Sequence, residues 1–123
     1  MFTNTKAFSG FAVDDTEKAK DFYGNILGLS VTEEYDLLHL HISGGTDIVV
    51  YPKPGHIPAS FTILNFPVAD IDGAVAELVD RGVHFEKYEG MEADEKGIFR
   101  GGGPYIAWFT DPAGNILSVL QER

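Results

Sequence analysis

The stretch FAVDDTEKAKDFYGNILG (residues 11–28) has a counterpart in FPVADIDGAVAELVDRG (residues 66–82). Phe11, Val13 and Asp15 return as Phe66, Val68 and Asp70, an alternating strand end that closes on an acidic residue. Apolar residues then recur at helical spacing, Ala19, Phe22, Tyr23, Ile26 and Leu27 in the first copy and Ile71, Ala74, Val75, Leu78 and Val79 in the second. That spacing puts one apolar stripe on each helix. Asp15 and Asp70 stand where an N-cap belongs. Gly28 and Gly82 end the two runs, where a residue free to take positive φ closes the last turn at little cost. Two copies of one unit are therefore expected.

Working outward, each copy extends into three more strands. Lys6 to Val13 alternates as a strand, and after the first helix Ser30 to Tyr35, Asp36 to Ser43 and Thr46 to Tyr51 follow, with Gly44 and Gly45 at a turn. Lys53 to Ala59, with two prolines and a glycine, separates the copies. The second copy reads as a strand from Ser60 to Val68, a helix from Ile71 to Arg81, and strands at Val83 to Tyr88, Tyr105 to Thr110 and Ile116 to Gln121. The predicted fold is α+β, two tandem βαβββ modules whose curved mixed sheets surround a concave pocket. Module one spans about 6–52, the linker about 53–59 and module two about 60–121, within a single domain of residues 1–123.

Composition narrows the functional classes. A chain of 123 residues, 44% of them hydrophobic, suffices for one compact domain. The absence of cysteine removes disulfides, thiolate metal sites and cysteine nucleophiles together. A formal charge of −10 argues against a nucleic-acid partner, which draws on clustered Lys and Arg. The first residues show no basic segment leading into an apolar run, and no apolar stretch approaches the ~20 residues of a membrane span. A cytoplasmic protein with neither membrane nor nucleic-acid partner is expected.

The doubled strand–helix–three-strand order resembles the vicinal oxygen chelate superfamily. The Phe22, Tyr23, Leu27, Gly28, Leu29 core and the closing run Phe109, Thr110, Asp111, Pro112, Ala113, Gly114, Asn115 carry the likeness, which covers essentially the whole chain. That superfamily includes lactoylglutathione lyases, ring-cleaving dioxygenases, epimerases and the bleomycin-resistance binding proteins. Its metal-using members hold a divalent ion with His and Glu from four strands. By the resemblance those positions fall on Phe8, Ile63, Ser118 and, within one residue, Tyr51. None offers the imidazole or carboxylate that such an ion takes. No metal and no cofactor are expected.

What stands at those positions is mostly aromatic and apolar. Phe8, Tyr51 and Ile63, with Phe61 and Asn65 on the face of Ile63, form an expected ligand pocket together with Ser118 and with one of Trp108 or Tyr105, which alternate to opposite faces. The Glu- and Gly-rich loop from Glu89 to Pro104 is long for a compact domain, and its Arg100 is expected to clamp an anionic group of the ligand. The function expected is metal-independent binding of a small hydrophobic or aromatic molecule, of a sequestering or resistance type, in a homodimer. The alternative is a metal-dependent lyase, isomerase or dioxygenase with a relocated site at His39 and His41. These two share one strand face, with His84, His56 or Glu33 as a third ligand, and they are also the candidate catalytic acid or base.

Overall fold

A computed structural model describes residues 1–123, and the chain divides into two compact units, Met1–Ile57 and Pro58–Arg123. The first unit holds β1 (Gly10–Val13), α1 (Thr16–Asp21), β2 (Ser30–Glu34), β3 (Leu37–His41) and β4 (Ile48–Pro52). The second holds β5 (Thr62–Pro67), α2 (Ile71–Asp80), β6 (Phe85–Glu86), β7 (Tyr105–Thr110) and β8 (Ile116–Gln121). Each unit forms one four-stranded sheet, ordered β1-β4-β3-β2 in the first and β5-β8-β7-β6 in the second. The first and last strands of each unit pair in parallel, and all other neighbours are antiparallel. The helix makes this possible, because parallel pairing needs a crossover longer than a hairpin turn.

Both helices start as the sequence predicts. Asp15 accepts the N–H groups of Glu17 and Lys18 at 3.0 and 3.2 Å. Asp70 accepts that of Gly73 at 3.2 Å. Gly28 and Gly82 take φ of +79° and +92° after the two helical runs. After Asp21 the first helix widens into a π-helical turn, Phe22–Ile26, closed by Leu27 N–H on the Phe22 carbonyl at 2.9 Å. Its two adjacent rings are both buried, Phe22 edge-on to Tyr23 at 5.2 Å and Tyr23 against Phe11 at 5.6 Å.

The strand residues that face the helices are buried. In the first unit Val13, Leu38, Leu40 and Val50 are fully buried, with Tyr23 and Ala19 of the helical segment. In the second, Ala107, Phe109, Leu117 and Val119 are buried with Ile71 and Val75 of α2. Each sheet thus turns one face to its helix and leaves the other for a different use.

Several strand boundaries differ from expectation. β1 begins at Gly10 rather than Lys6: ahead of it the chain is held by single bonds, Val49 N–H to the Ser9 carbonyl at 3.1 Å and the Thr46 hydroxyl to the Ala7 carbonyl at 3.2 Å. β6 is cut to two residues where Val83 to Tyr88 was predicted, because the chain turns at Tyr88, whose carbonyl accepts Met91 N–H at 3.1 Å. The 89–104 loop carries structure of its own. Phe99 pairs with Ile106 through backbone bonds of 2.8 and 3.1 Å, and Ile98 is fully buried.

Candidate functional site

The open face of the second sheet is set by the register. Asn65, Ser118, Trp108 and Glu86 are successive cross-strand partners on β5, β8, β7 and β6, and therefore share one face. Ser118 is fully buried, and its hydroxyl donates to Asn65 Oδ1 at 2.5 Å. The polar groups on β5 and β8 thus answer each other, and Trp108 stands beside them before the row ends on Glu86.

A cleft of about 240 Å³ opens against that wall. Trp108 and Ile116 line it from β7 and β8, Ser60, Phe61 and Thr62 from the start of β5, and Tyr88 and Met91 from the chain after β6. The rings are mutually braced, with Tyr88 edge-on to Trp108 at 5.8 Å and Phe99 tilted against it at 6.5 Å. Phe61 is 68% exposed and stands at the mouth.

Of the expected pocket residues, Phe61 and Trp108 meet at this cleft, while Asn65 and Ser118 sit in the row across the same face. Ile63 does not line it. The register shifts between Thr62, opposite Ile116, and Leu64, opposite Leu117, so that Ile63 is an extra residue and Thr62 takes its place. Such a bulge resets the alternation on which the predicted grouping of Phe61, Ile63 and Asn65 rests. Tyr105 is turned away from Trp108 and packs beneath two guanidinium groups, Arg100 at 4.9 Å and Arg123 at 5.4 Å from its ring centre.

Phe8 and Tyr51 lie in the first unit. Phe8 precedes β1 and is 67% exposed. Tyr51 pairs with Ala12 and shares its sheet face with Val49, which pairs with His39. His39 and His41 do share that face, opposite the buried Leu38 and Leu40. Both ring nitrogens of His41 are engaged, Nδ1 with Asp47 Oδ1 and Nε2 with Thr32 Oγ1, each at 2.9 Å. Glu33, opposite Leu38, belongs to the other face and lies 3.8 Å from Lys20. No three His, Asp or Glu side chains stand together as a metal-holding group.

Arg100 is matched within the second unit. Its Nη2 donates to Asp72 Oδ1 on α2 at 2.8 Å and its Nε to Asp94 Oδ2 at 3.3 Å. The hydrogen bond from Arg100 is the chief cause holding the Asp72 carboxyl below the usual carboxylate range, and the same contacts raise Arg100. Arg100, the expected anion clamp, thus ties the loop to α2, through partners 6 and 28 residues away in sequence. A larger groove, about 480 Å³, runs between α2 and β6. Its walls set Val75, Val79, Val83 and Phe85 beside the charged Asp80, Lys87, Glu95 and Lys96.

Tyr88, Met91 and Thr62 were not singled out by the sequence reading. An apolar Tyr88–Met91 spacing at the mouth of a Glu- and Gly-rich loop was the available signal.

The chain matches the Glyoxalase/Bleomycin resistance protein/Dioxygenase superfamily over residues 7–119. It belongs to that superfamily. Among solved structures it is similar to TnmS3, an antibiotic binding protein from Streptomyces sp. CB03234, with 26% identity, a TM-score of 0.69, and 98% of this chain and 99% of that one covered. It is similar as well to a superfamily member from Sphaerobacter thermophilus DSM 20745, with 27% identity, a TM-score of 0.71 and 99% and 100% covered. A glyoxalase family protein from Bacillus anthracis, 18% identical with a TM-score of 0.71 and full coverage of both chains, shares the fold. No curated protein matches the chain. As in the expected superfamily fold, the chain has tandem βαβββ units with mixed sheets, and no helix is long and apolar enough to cross a membrane.

Proposed function

We propose that this superfamily member captures a flat, apolar or aromatic small molecule without a metal ion, as a sequestering or resistance-type binding protein. The observation that carries the reading is the aromatic cleft of Phe61, Tyr88 and Trp108 on the open face of the second sheet. At about 240 Å³ it suits one ring system of a ligand, the remainder extending past Phe61. Burying on the order of 100 Å² of apolar ligand surface supplies ~2.5 kcal/mol, and Ser60 and Thr62 at the rim orient the ring. Similarity to an antibiotic binding protein at 26% identity supports the same class.

Donor chemistry supports the metal-independent part. Phe8, Tyr51 and Ile63 offer neither imidazole nor carboxylate, and the Ser118 hydroxyl is spent on Asn65. These residues do not fit a catalytic divalent ion. In this reading the two units are halves of one functional domain, and the protein works as a homodimer in the cytoplasm, where a chain without cysteines loses nothing to a reducing environment.

The test uses Trp108, the single tryptophan, as its own reporter. Metal-stripped protein is titrated with planar aromatic antibiotics by fluorescence and calorimetry, with and without nickel, zinc, manganese and ferrous ions. Saturable binding that the ions leave unchanged is expected. Ligand binding only with stoichiometric metal, lost in His39→Ala or His41→Ala, overturns the reading in favour of a metal-dependent enzyme.

A further inference from the structure

The first unit carries a three-residue relay that ligand capture at the second sheet does not use. His41 stands between Asp47 Oδ1 on Nδ1 and Thr32 Oγ1 on Nε2, both at 2.9 Å. An ionised carboxylate can only accept, so the Asp47 contact places the ring hydrogen on Nδ1. In the neutral ring Nε2 is then the acceptor, and the Thr32 hydroxyl donates to it. This is the polarity that makes an imidazole a general base toward a hydroxyl, with a carboxylate fixing the tautomer behind it.

Three separate segments supply the set: Thr32 from β2, His41 from β3 and Asp47 from the turn before β4. Thr32 is exposed, and the His41 and Asp47 side chains keep 38% and 46% of their surface, so a reactant reaches the hydroxyl without displacing protein. His39 is the direct cross-strand partner of Thr32 on the same face, where directly opposed Cβ atoms lie about 5 Å apart. His39 is thus the nearest imidazole besides His41 to the Thr32 hydroxyl on that face.

We propose that Thr32 is a nucleophile, activated by the Asp47–His41 pair, that accepts an acyl group from activated esters. Thr32 Oγ1 attacks the ester carbonyl carbon while its proton passes to His41 Nε2, giving a tetrahedral oxyanion beside His39. The C–O bond to the leaving group then breaks, the leaving oxygen takes the proton back from Nε2, and the products are a threonine ester and an alcohol. No oxidant, metal or further reactant is consumed. Such covalent capture is a second activity, independent of the aromatic cleft.

The experiment treats the full chain with p-nitrophenyl acetate, follows nitrophenolate release and maps the acetyl group by peptide mass spectrometry. One acetyl per chain on Thr32 is expected. Thr32→Val, which keeps the shape, abolishes it, while Thr32→Ser retains it and so separates lost chemistry from lost folding. His41→Gln slows the reaction by about 10²-fold or more. Acetyl found only on lysines or on the imidazoles, an unlabelled wild-type protein, or equal labelling of the Val variant overturns the proposal. Loss in a Ser variant whose circular dichroism is unchanged does the same.

Discussion

Arg100 Nη2 donates to Asp72 Oδ1 across 2.8 Å and so joins the long loop between β6 and β7 to the first turn of α2. Lys96 Nζ reaches the same oxygen at 3.4 Å, and Asp94 takes the N–H groups of Lys96 and Ile98, both at 2.9 Å. The Asp72 carboxyl is held low chiefly by the Arg100 hydrogen bond. For Asp94 burial pushes upward, but the backbone donors of Ile98 and Lys96 and the Arg100 guanidinium outweigh it, so its carboxyl is also lowered. Carboxylates with lowered folded values stabilise the loop above their unfolded values, and that contribution is lost as pH falls through the folded ones. Opening of the loop, read as amide exchange of residues 94–100 relative to the intrinsic rate at each pH, is therefore expected to quicken on acidification below the usual carboxylate range. It also quickens at ~1 M salt, where the screening length is about 3 Å. Asp72→Asn should remove most of both dependences; unchanged exchange in that variant would mean that buried Ile98 alone holds the loop.

Phe61 lines the cleft yet leaves 68% of its surface in water. Phe61→Ser is expected to change stability by no more than about 0.5 kcal/mol. The same substitution should weaken binding of a planar aromatic ligand by about tenfold, equivalent to about 1.4 kcal/mol. Urea denaturation and Trp108 fluorescence titration measure the two effects separately. Equal affinity in the variant would place the ligand elsewhere than this cleft.

How much of this was legible depended on the range of the interaction. The two caps at Asp15 and Asp70, the glycine stops and the burial of Leu38 and Leu40 follow from local periodicity, and the structure has them. The grouping of Ile63 with Asn65 fails at one bulge, since an extra residue carries no mark in a run such as Phe61, Thr62, Ile63, Leu64 where every side chain suits a strand. Arg100 looked free for a ligand because its partners, Asp72 and Asp94, are chosen by tertiary packing. The relay through His41 was half visible: the pair of histidines stood out, but Thr32 and Asp47 join it through register and turn geometry.

The β7–β8 turn rests on Asp111, a carboxylate only 4% exposed. Its Oδ1 accepts the N–H groups of Ala113 and Asn115 at 3.0 and 2.8 Å, and its Oδ2 accepts Asn115 Nδ2 at 3.0 Å. Hydrogen bonds to a charged acceptor contribute more than neutral ones, and donors left unmatched in a buried turn add a desolvation cost. Asp111→Ala is expected to lower stability by about 3 kcal/mol, and Asp111→Asn, which keeps one carbonyl oxygen, by about 1 kcal/mol. Urea unfolding followed at Trp108, on the strand leading into the turn, checks both. A loss under about 0.5 kcal/mol in the Ala variant would show that the backbone alone makes this turn.

The β2–β3 hairpin closes through Tyr35 and Asp36, with Glu34 paired to Leu37 on either side. Both turn residues have positive φ, 53° and 63°, and they are the chain's only non-glycine residues that do. A two-residue loop with both φ positive matches strand twist best when filled by Asn and Gly, whereas an ordinary L-residue there costs roughly 1–2 kcal/mol. Tyr35 gives nothing back by packing, since its side chain is 87% exposed. The double substitution Tyr35→Asn, Asp36→Gly is therefore expected to stabilise the chain by about 1 kcal/mol and to raise Tm by about 4 °C. Thermal unfolding reads the effect. A lowered Tm would mean that Tyr35 makes contacts in solution that its exposure here denies.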